Sequence, residues 1–238
     1  MSLKNRTAVI SGAGGDLGTV LARELAARGA NLALLGRNAD KLEAARAALA
    51  LPETRVLARR VDLADPADAG SAATAVAAKF GRVDALLHLV GGWTGGKTLL
   101  EAAPADLESM LEQHVWSSFH AVQAFLPHLL ANGWGRVIMI TSPFAARPNA
   151  KGGPYAIGKA GQEALMLTLS QELRGTGVTA NLLQARSIDA RREKLSSPTA
   201  ANAAWTTPEE LSAAVQYLLS EEAGTVNGAK IPLFAAYS

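Results

Sequence analysis

The stretch that most constrains the fold lies close to the start of the chain. Thr7 to Ser11 is a short apolar run, and Ser11-Gly12-Ala13-Gly14-Gly15-Asp16-Leu17-Gly18 leads from it into a helix-like segment, Thr19 to Arg28. Strand, glycine turn and helix in succession are the context that a dinucleotide fingerprint requires. Glycines let the backbone approach a pyrophosphate, whose charge then sits at the helix N-terminus. Gly12, Gly15 and Gly18 are the evenly spaced set. A tight turn whose glycines serve only helix packing would read the same way, so the stretch needs support from the rest of the chain.

At 238 residues, the chain has the length of one large α/β core without a linker, and residues 1–238 are expected to form a single domain. Hydrophobic residues make up 49% and aromatics only 5%, a balance that suits packed helices on a buried sheet. A formal net charge of +2 gives none of the basic field that nucleic-acid binding needs. The densest cationic cluster, Arg191-Arg192, reads as a solvated loop. Without cysteine, disulfides, thiolate catalysis and cysteine metal sites are excluded. The opening Met1-Ser2-Leu3-Lys4-Asn5-Arg6 lacks the long apolar segment of a signal peptide or membrane span, so a cytoplasmic protein without a membrane partner is expected.

Asn31 to Gly36 reads as the second strand, followed by Arg37-Asn38 and a helix from Ala39 to Ala50. A carboxylate at the strand end would hold the ribose 2′-hydroxyl of NAD. Gly36 stands there instead with Arg37 beside it, a pairing that accommodates a 2′-phosphate and favours NADP over NAD. An ordinary exposed arginine is the plainer alternative. Arg55 to Val61 is a third strand ending at Asp62-Leu63, with Asp62 positioned to accept from an adenine amino group and Asp65, before Pro66, suited to cap a helix from Ala67 to Phe80. Val83 to Val90 is a fourth strand. The glycine-rich Gly91-Gly92-Trp93-Thr94-Gly95-Gly96 follows at its carboxyl end, where α/β sheets bind ligands. A long helix, broken or bent near Pro127, is expected from Pro104 to about Leu130, with Leu111, Val115, Phe119, Val122 and Leu126 as one apolar stripe for core or subunit contact. His114, His120 and His128 fall on different faces or too far apart for a metal site, and no metal is expected.

Arg136 to Ser142 is a fifth strand ending in a hydroxyl, and thirteen residues separate Ser142 from Tyr155. Pro143, Pro148, Gly152 and Gly153 in that interval make it a loop able to fold back. Tyr155-Ala156-Ile157-Gly158-Lys159 then sets a phenol and an ammonium on one face at the start of a helix. A lysine so placed is expected to lower the phenol's pKa from about 10, which suits proton exchange near neutrality. After a sixth strand, Val178 to Leu183, the polar and pattern-poor Ala185 to Ala204 reads as a substrate loop or lid, simple loop disorder being the bland alternative. Thr207-Pro208-Glu209-Glu210 is a helix start, and Ile231 to Phe234 a last strand.

With these residues assembled, the chain resembles the compact short-chain dehydrogenases/reductases over essentially its full length. The glycine opening, Asp62, Ser142 and the Tyr155/Lys159 pair fall in the order and spacing of that family. The resemblance implies an α/β, three-layer Rossmann-type fold: a doubly wound parallel sheet of seven strands with helices on both faces. It also implies a nicotinamide cofactor, a small-molecule carbonyl or alcohol substrate, and a homo-oligomer, tetramer or dimer, packed through the long helices. Carried over to this sequence, Tyr155 would be the general acid or base, Lys159 would bind the nicotinamide ribose, and Ser142 would hold the substrate oxygen. The cofactor would lie along Ser11, Gly12, Gly14, Gly15, Asp16, Leu17, Gly18, Arg37, Asn38, Asp62, Leu63, Val90, Gly91, Gly92, Tyr155, Lys159 and Ile188. Trp93, Ser142 and Phe144 would line the substrate pocket.

Several positions depart from the family pattern. Asp16 stands where a glycine is usual, and His88-Leu89-Val90-Gly91 where Asn-Asn-Ala-Gly is usual. His114 replaces the helical asparagine of the catalytic set, and a histidine that changes charge near neutrality could complete a relay of Tyr155, Lys159, water and His114. Ala185-Arg186 replaces Pro-Gly, and Ala190 a threonine. Gly91 to Gly96 and Gln113-His114-Val115-Trp116-Ser117-Ser118 are similar to segments of dihydropteridine reductase, a family member that also lacks the asparagine. The leading reading is an NADP-dependent oxidoreductase interconverting a carbonyl and an alcohol. Its alternatives are a pterin or imine (C=N) reductase and a non-catalytic cofactor-binding regulator. Hydrolase chemistry is disfavoured, since Ser142 lies outside any Gly-x-Ser-x-Gly elbow.

Overall fold

Strand β1 (Thr7–Ser11) sends Ala8 and Ile10 into one apolar cluster and Val9 into another. In β2 (Asn31–Gly36), Leu32 and Leu34 join the first cluster while Ala33 and Leu35 join the second. Such continuous apolar runs are what a parallel sheet covered on both faces demands. The computed structural model describes residues 2–234. In it β3 (Val56–Arg60), β4 (Ala85–His88), β5 (Gly135–Thr141), β6 (Val178–Gln184) and β7 (Lys230–Pro232) complete a seven-stranded sheet of order β3-β2-β1-β4-β5-β6-β7, with every pairing parallel. The three-layer, doubly wound architecture expected from the sequence is the one observed.

On one face, α1 (Asp16–Ala27), α2 (Ala39–Ala48) and α8 (Pro208–Leu218) contribute Leu21, Leu25, Leu42, Leu211 and Val215 to the first cluster. On the other, α3 (Pro66–Phe80), α5 (Ser117–Ala131) and α6 (Gly153–Glu172) contribute Val76, Phe125, Leu129, Met166 and Leu169 to the second. The strand order reverses between β1 and β4. At such a switch point the connections leave in opposite directions, and a crevice opens beyond the carboxyl ends of the strands.

The elements differ from the sequence expectations in instructive places. Helix α1 starts at Asp16 rather than Thr19, because Gly15 already serves as the N-cap. The ends of the third, fourth and last strands differ from the expected ones by one or two residues, as strand ends commonly do when the ladder gives way to loop hydrogen bonds. The long helix does not break at Pro127, which sits within α5. Its ring frees the carbonyl of Gln123, and both residues are exposed, so that carbonyl is open to solvent. The interruption is a turn of π-helix, Glu112–Trp116, between α4 (Pro104–Leu111) and α5. There the Ser117 and Ser118 hydroxyls donate to the carbonyls of Gln113 and His114, at 2.6 and 2.7 Å, the kind of back-bonding that loosens a helical ladder.

Residues 185–204 are not patternless. They hold a short helix, α7 (Glu193–Ser196), whose first N–H groups donate to the Asp189 carboxylate. Lys194 ties the segment to α8 by donating to Trp205 O and to the Glu210 carboxylate. The expected helix start at Thr207 is observed, with Thr207 and Glu210 forming a capping box. Among the described residues no helix is long and apolar enough to cross a membrane.

Candidate active site

The cleft lies beyond β1 and β4 and has two lobes, which meet at Gly12, Gly15 and Leu89 to Gly91. Its floor depends on two glycines. Gly12 has φ of +77°, and a Cβ there would press on the Leu89 carbonyl at 3.2 Å. A Cβ on Gly18 would come within 2.5 Å of the Gly12 oxygen, so only glycine lets α1 close on the turn. This backbone leaves the N-terminus of α1 open to an anion.

The first lobe, about 450 Å³, is lined by Gly14, Gly36, Arg37, Asn38, Lys41, Asp62, Leu63, Val90 and Gly91 among others. Asn38 caps α2 by accepting from Lys41 N–H at 2.9 Å. Asp62 accepts from Ala64 N–H at 3.1 Å, and Asp65 caps α3. The second lobe, about 320 Å³, is lined by Asp16, Leu17, Gly18, Gly92, His114, Thr141, Tyr155, Lys159, Arg186 and Ile188 among others. Ser11 lies beneath the cleft rather than in its wall, buried against His88. Trp93, Ser142 and Phe144 line neither lobe. Trp93 is 65% exposed, whereas Ser142 is buried and accepts from Phe144 N–H at 3.3 Å.

Burial governs the titratable groups of the second lobe. The Tyr155 phenol is pushed up from its ordinary pKa by desolvation, with a hydrogen bond to Ser142 acting the other way. Lys159 is pulled down to about 7, again by desolvation, while the Glu163 carboxylate one turn further along α6 opposes the fall. The expected depression of the phenol by Lys159 is therefore corrected. The hydrogen bonds of the ammonium go to Ile140 O at 2.8 Å and Gln162 Oε1 at 3.0 Å, and the phenol's loss of water dominates.

His114 is corrected in a similar way. Its Nε2 donates to Gly92 O at 3.0 Å, which leaves Nδ1 as a buried acceptor without a partner. Desolvation first, and then the Lys159 charge, push its pKa to about 3, so the ring stays neutral instead of titrating near neutrality. It meets Tyr155 edge-on, with ring centroids 5.5 Å apart. A Cβ on Gly91 would lie 3.1 Å from His114 Nδ1 and 3.8 Å from Lys159 Nζ, so both atoms face the space that this glycine leaves.

Two buried relays hold the arrangement. Lys159 donates to Gln162, Gln162 Nε2 donates to Ser118 Oγ at 3.0 Å, and Ser118 donates to His114 O. In the second, Ser117 spends its proton on Gln113 O, so it accepts from His88 Nε2 at 3.3 Å. Nδ1 of His88 then accepts from Ser11 Oγ at 2.8 Å. His88 is likewise held neutral, burial taking its pKa to about 3. Glu163 accepts from Thr141 Oγ1 at 2.9 Å, Gln184 Nε2 at 3.3 Å and Lys230 Nζ at 3.0 Å. Lys41, Gln162 and Glu163 escape a sequence reading. Glu163 stands one helical turn after Lys159, and Lys41 lies in the first turn of α2, three residues after its N-cap Asn38, both residues already singled out, so helical spacing could have flagged them.

The glycine cradle and the orphaned Nδ1 at the reactive end fit a nicotinamide dinucleotide. No cluster of three or more metal-ligating side chains occurs among the described residues.

Comparisons with known proteins agree with this geometry. Residues 6–200 match the family model described as short chain dehydrogenase. The chain is 31% identical to a 2-dehydro-3-deoxy-L-rhamnonate dehydrogenase (NAD(+)) from Sphingomonas sp. (strain SKA58), over 75% of this chain and 70% of that one. It is 27% identical to the D-threitol dehydrogenase of Mycolicibacterium smegmatis, over 99% and 94% of the two chains. The solved structure of levodione reductase superposes with a TM-score of 0.87 at 25% identity, covering 97% of this chain and 96% of that one. The chain belongs to the short-chain dehydrogenase/reductase family and is an NAD(P)-dependent oxidoreductase.

Proposed function

We propose that this protein is an NADP-dependent oxidoreductase that interconverts a carbonyl and an alcohol, with Tyr155 as general acid in reduction and general base in oxidation. The observation that carries the reading is the convergence of Tyr155, Lys159 and His114 in the lobe that begins at the glycine turn. When bound, the nicotinamide cofactor supplies or accepts the hydride. The turn from Gly12 to Gly15 and the N-terminus of α1 would hold its pyrophosphate, with Asp62 near the adenine and Lys159 on the nicotinamide ribose. Ser142 orients the substrate oxygen, and Tyr155 delivers or removes the proton there. A water between Lys159 Nζ and His114 Nδ1 would resupply that proton, the neutral imidazole acting as acceptor. Residues 185–204 would close over the substrate.

NADP is favoured because no carboxylate ends β2 and because Arg37 and Lys41 line one lobe together. The Sphingomonas relative is named for NAD(+), which makes cofactor titration the first measurement. NADPH should bind tighter than NADH, and Arg37→Ala should erase about a tenfold preference, the value of one charge-assisted contact. Tyr155→Phe should keep cofactor binding and lower kcat on a carbonyl substrate by about a hundredfold or more. Parental turnover in that variant would rule out Tyr155 as the acid.

A second reading, reduction of a C=N bond in a pterin or imine, is favoured by one contact. The two segments similar to dihydropteridine reductase meet through His114 Nε2 and Gly92 O. Turnover of a quinonoid dihydropterin in preference to ketones would select it.

The reading extends to a cytoplasmic homo-oligomer, a tetramer or dimer. Its support is an apolar groove of about 510 Å³ between α5 and α6, with Phe119, Leu126, Leu130 and Leu165 in its walls.

A further inference from the structure

The loop that leaves the second lobe carries apolar side chains that neither the core nor proton transfer employs. Gly92, which lines the lobe and accepts from His114, is followed directly by Trp93, which is 65% exposed. Further along the same loop, Leu99 and Leu100 are 75% and 96% exposed. Single exposed apolar residues are ordinary on any protein, whereas a contiguous group on the lip of a cleft marks a contact surface.

Trp93 and Leu99 form such a group because the loop is fastened to the approach to α6. Gly96 N–H donates to Lys151 O at 2.8 Å. A Cβ on Gly95 would lie 3.0 Å from the same oxygen and 2.6 Å from Trp93 Cζ2, so the indole rests beside Lys151. A Cβ on Gly153 would lie 2.5 Å from Leu99 Cδ2, which sets that side chain against the first residue of α6. Both side chains thus flank residues 151–153, and Tyr155 follows two residues later, its ring centroid 5.5 Å from that of His114. The nearby charges are spent locally: Lys97 donates to Asp106 at 2.9 Å, and Glu101 accepts from Thr98 N–H and Oγ1 at 2.9 and 2.8 Å. Among the described residues no other ring stacks on the Trp93 indole and no cation covers it. On residues 185–204, Ile188 lines the lobe and Leu195 of α7 is 70% exposed.

We infer that the substrate carries an apolar group, an aromatic ring or a compact hydrocarbon, next to the carbonyl that reacts, and that Trp93 and Leu99 are the specificity-determining residues that seat it. An indole face and a branched aliphatic side chain shield such a group from water, and neither offers the hydroxyls of a polyol a replacement for the water they would lose. The inference rests on the carbonyl–alcohol reading and adds the substrate class to it. A second copy of this chain is the other occupant such a lip could take, and the test separates the two.

Acetophenone and 2-methylcyclohexanone are compared with hydroxyacetone and dihydroxyacetone on the NADPH-loaded protein. The readouts are the change each causes in the fluorescence of bound NADPH and the NADPH oxidation it supports. The two apolar ketones should bind about tenfold or more tightly than the hydroxylated ones, the effect of burying one hydrocarbon group. Trp93→Ala and Leu99→Ser should each shrink that preference, by raising KM for acetophenone rather than lowering kcat, and Trp93→Phe should keep most of it. None of the three should change the NADPH dissociation constant, the melting temperature or the sedimenting species. Hydroxylated ketones bound as well as apolar ones by the parent protein would overturn the assignment, and so would a Trp93→Ala protein that weakens both classes alike. Smaller sedimenting species in Trp93→Ala and Leu99→Ser, with the preference intact, would give the lip to a second copy and overturn it as well. Failure of the carbonyl–alcohol reading is seen separately, as Tyr155→Phe oxidising NADPH at the parental rate, because the binding preference is measured without turnover.

Discussion

Lys159 is set where its charge is in balance. Burial draws its pKa to about 7, and Glu163 is the named charge that resists. The other groups facing it are Tyr155 on the same helix, His88 on β4 and His114 in the π-turn, both imidazoles neutral above about pH 3. Glu163→Gln removes the attraction and leaves Lys230 without its carboxylate, and both changes disfavour the charged ammonium. The folded-state pKa of Lys159 then falls further. In the proposed mechanism the charged form holds the cofactor and the relay, so the alkaline limb of the kcat/KM profile should move to lower pH, with turnover above pH ~7 down several-fold. Glu163→Asp should recover part of the shift. His114→Asn should lower kcat without moving either limb, since the ring it replaces does not titrate there. A Glu163→Gln profile reduced equally at every pH would mean that the carboxylate only braces the fold.

The π-turn does at the scale of an element what no single side chain does. By adding a residue between α4 and α5, it points His114 into the cleft and frees the carbonyls that Ser117 and Ser118 satisfy. Ser118 is the junction, donating to His114 O and accepting from Gln162 Nε2. Ser118→Ala leaves both of those buried groups short of a partner. It should cost about 1–3 kcal/mol in chemical denaturation, or roughly 2–4 °C of melting temperature per kcal/mol for a chain of this size. An unchanged midpoint would show that the relay does not support the turn. Nothing in the residue pattern announces this element. Its hydroxyl back-bonds have no period, whereas the Thr207-Pro208-Glu209-Glu210 start of α8 is legible because a capping box is local.

For the whole molecule, α5 and α6 share an apolar groove on their outer faces, in which Phe119 is 40% exposed. A partner seated there buries that groove, so Phe119→Asp should move the sedimenting species toward the monomer while cofactor binding persists. A parent protein that already sediments as a monomer would sink the oligomer reading. The sequence alone determined what depends on local pattern: most of the strand and helix segments, from apolar runs, and the turn at Gly12 to Gly18, from its glycines, while the parallel seven-stranded sheet was implied by the family resemblance. It also determined the pairing of Tyr155 with Lys159, from helical spacing. The tertiary structure decided what depends on burial and on contacts distant in sequence. The cleft assembles segments more than a hundred residues apart, from Gly12 to Arg186. His114 and Lys159 take their protonation from desolvation, which no spacing of residues encodes, and Glu163 acquires its partners only when β5, β6 and β7 lie side by side.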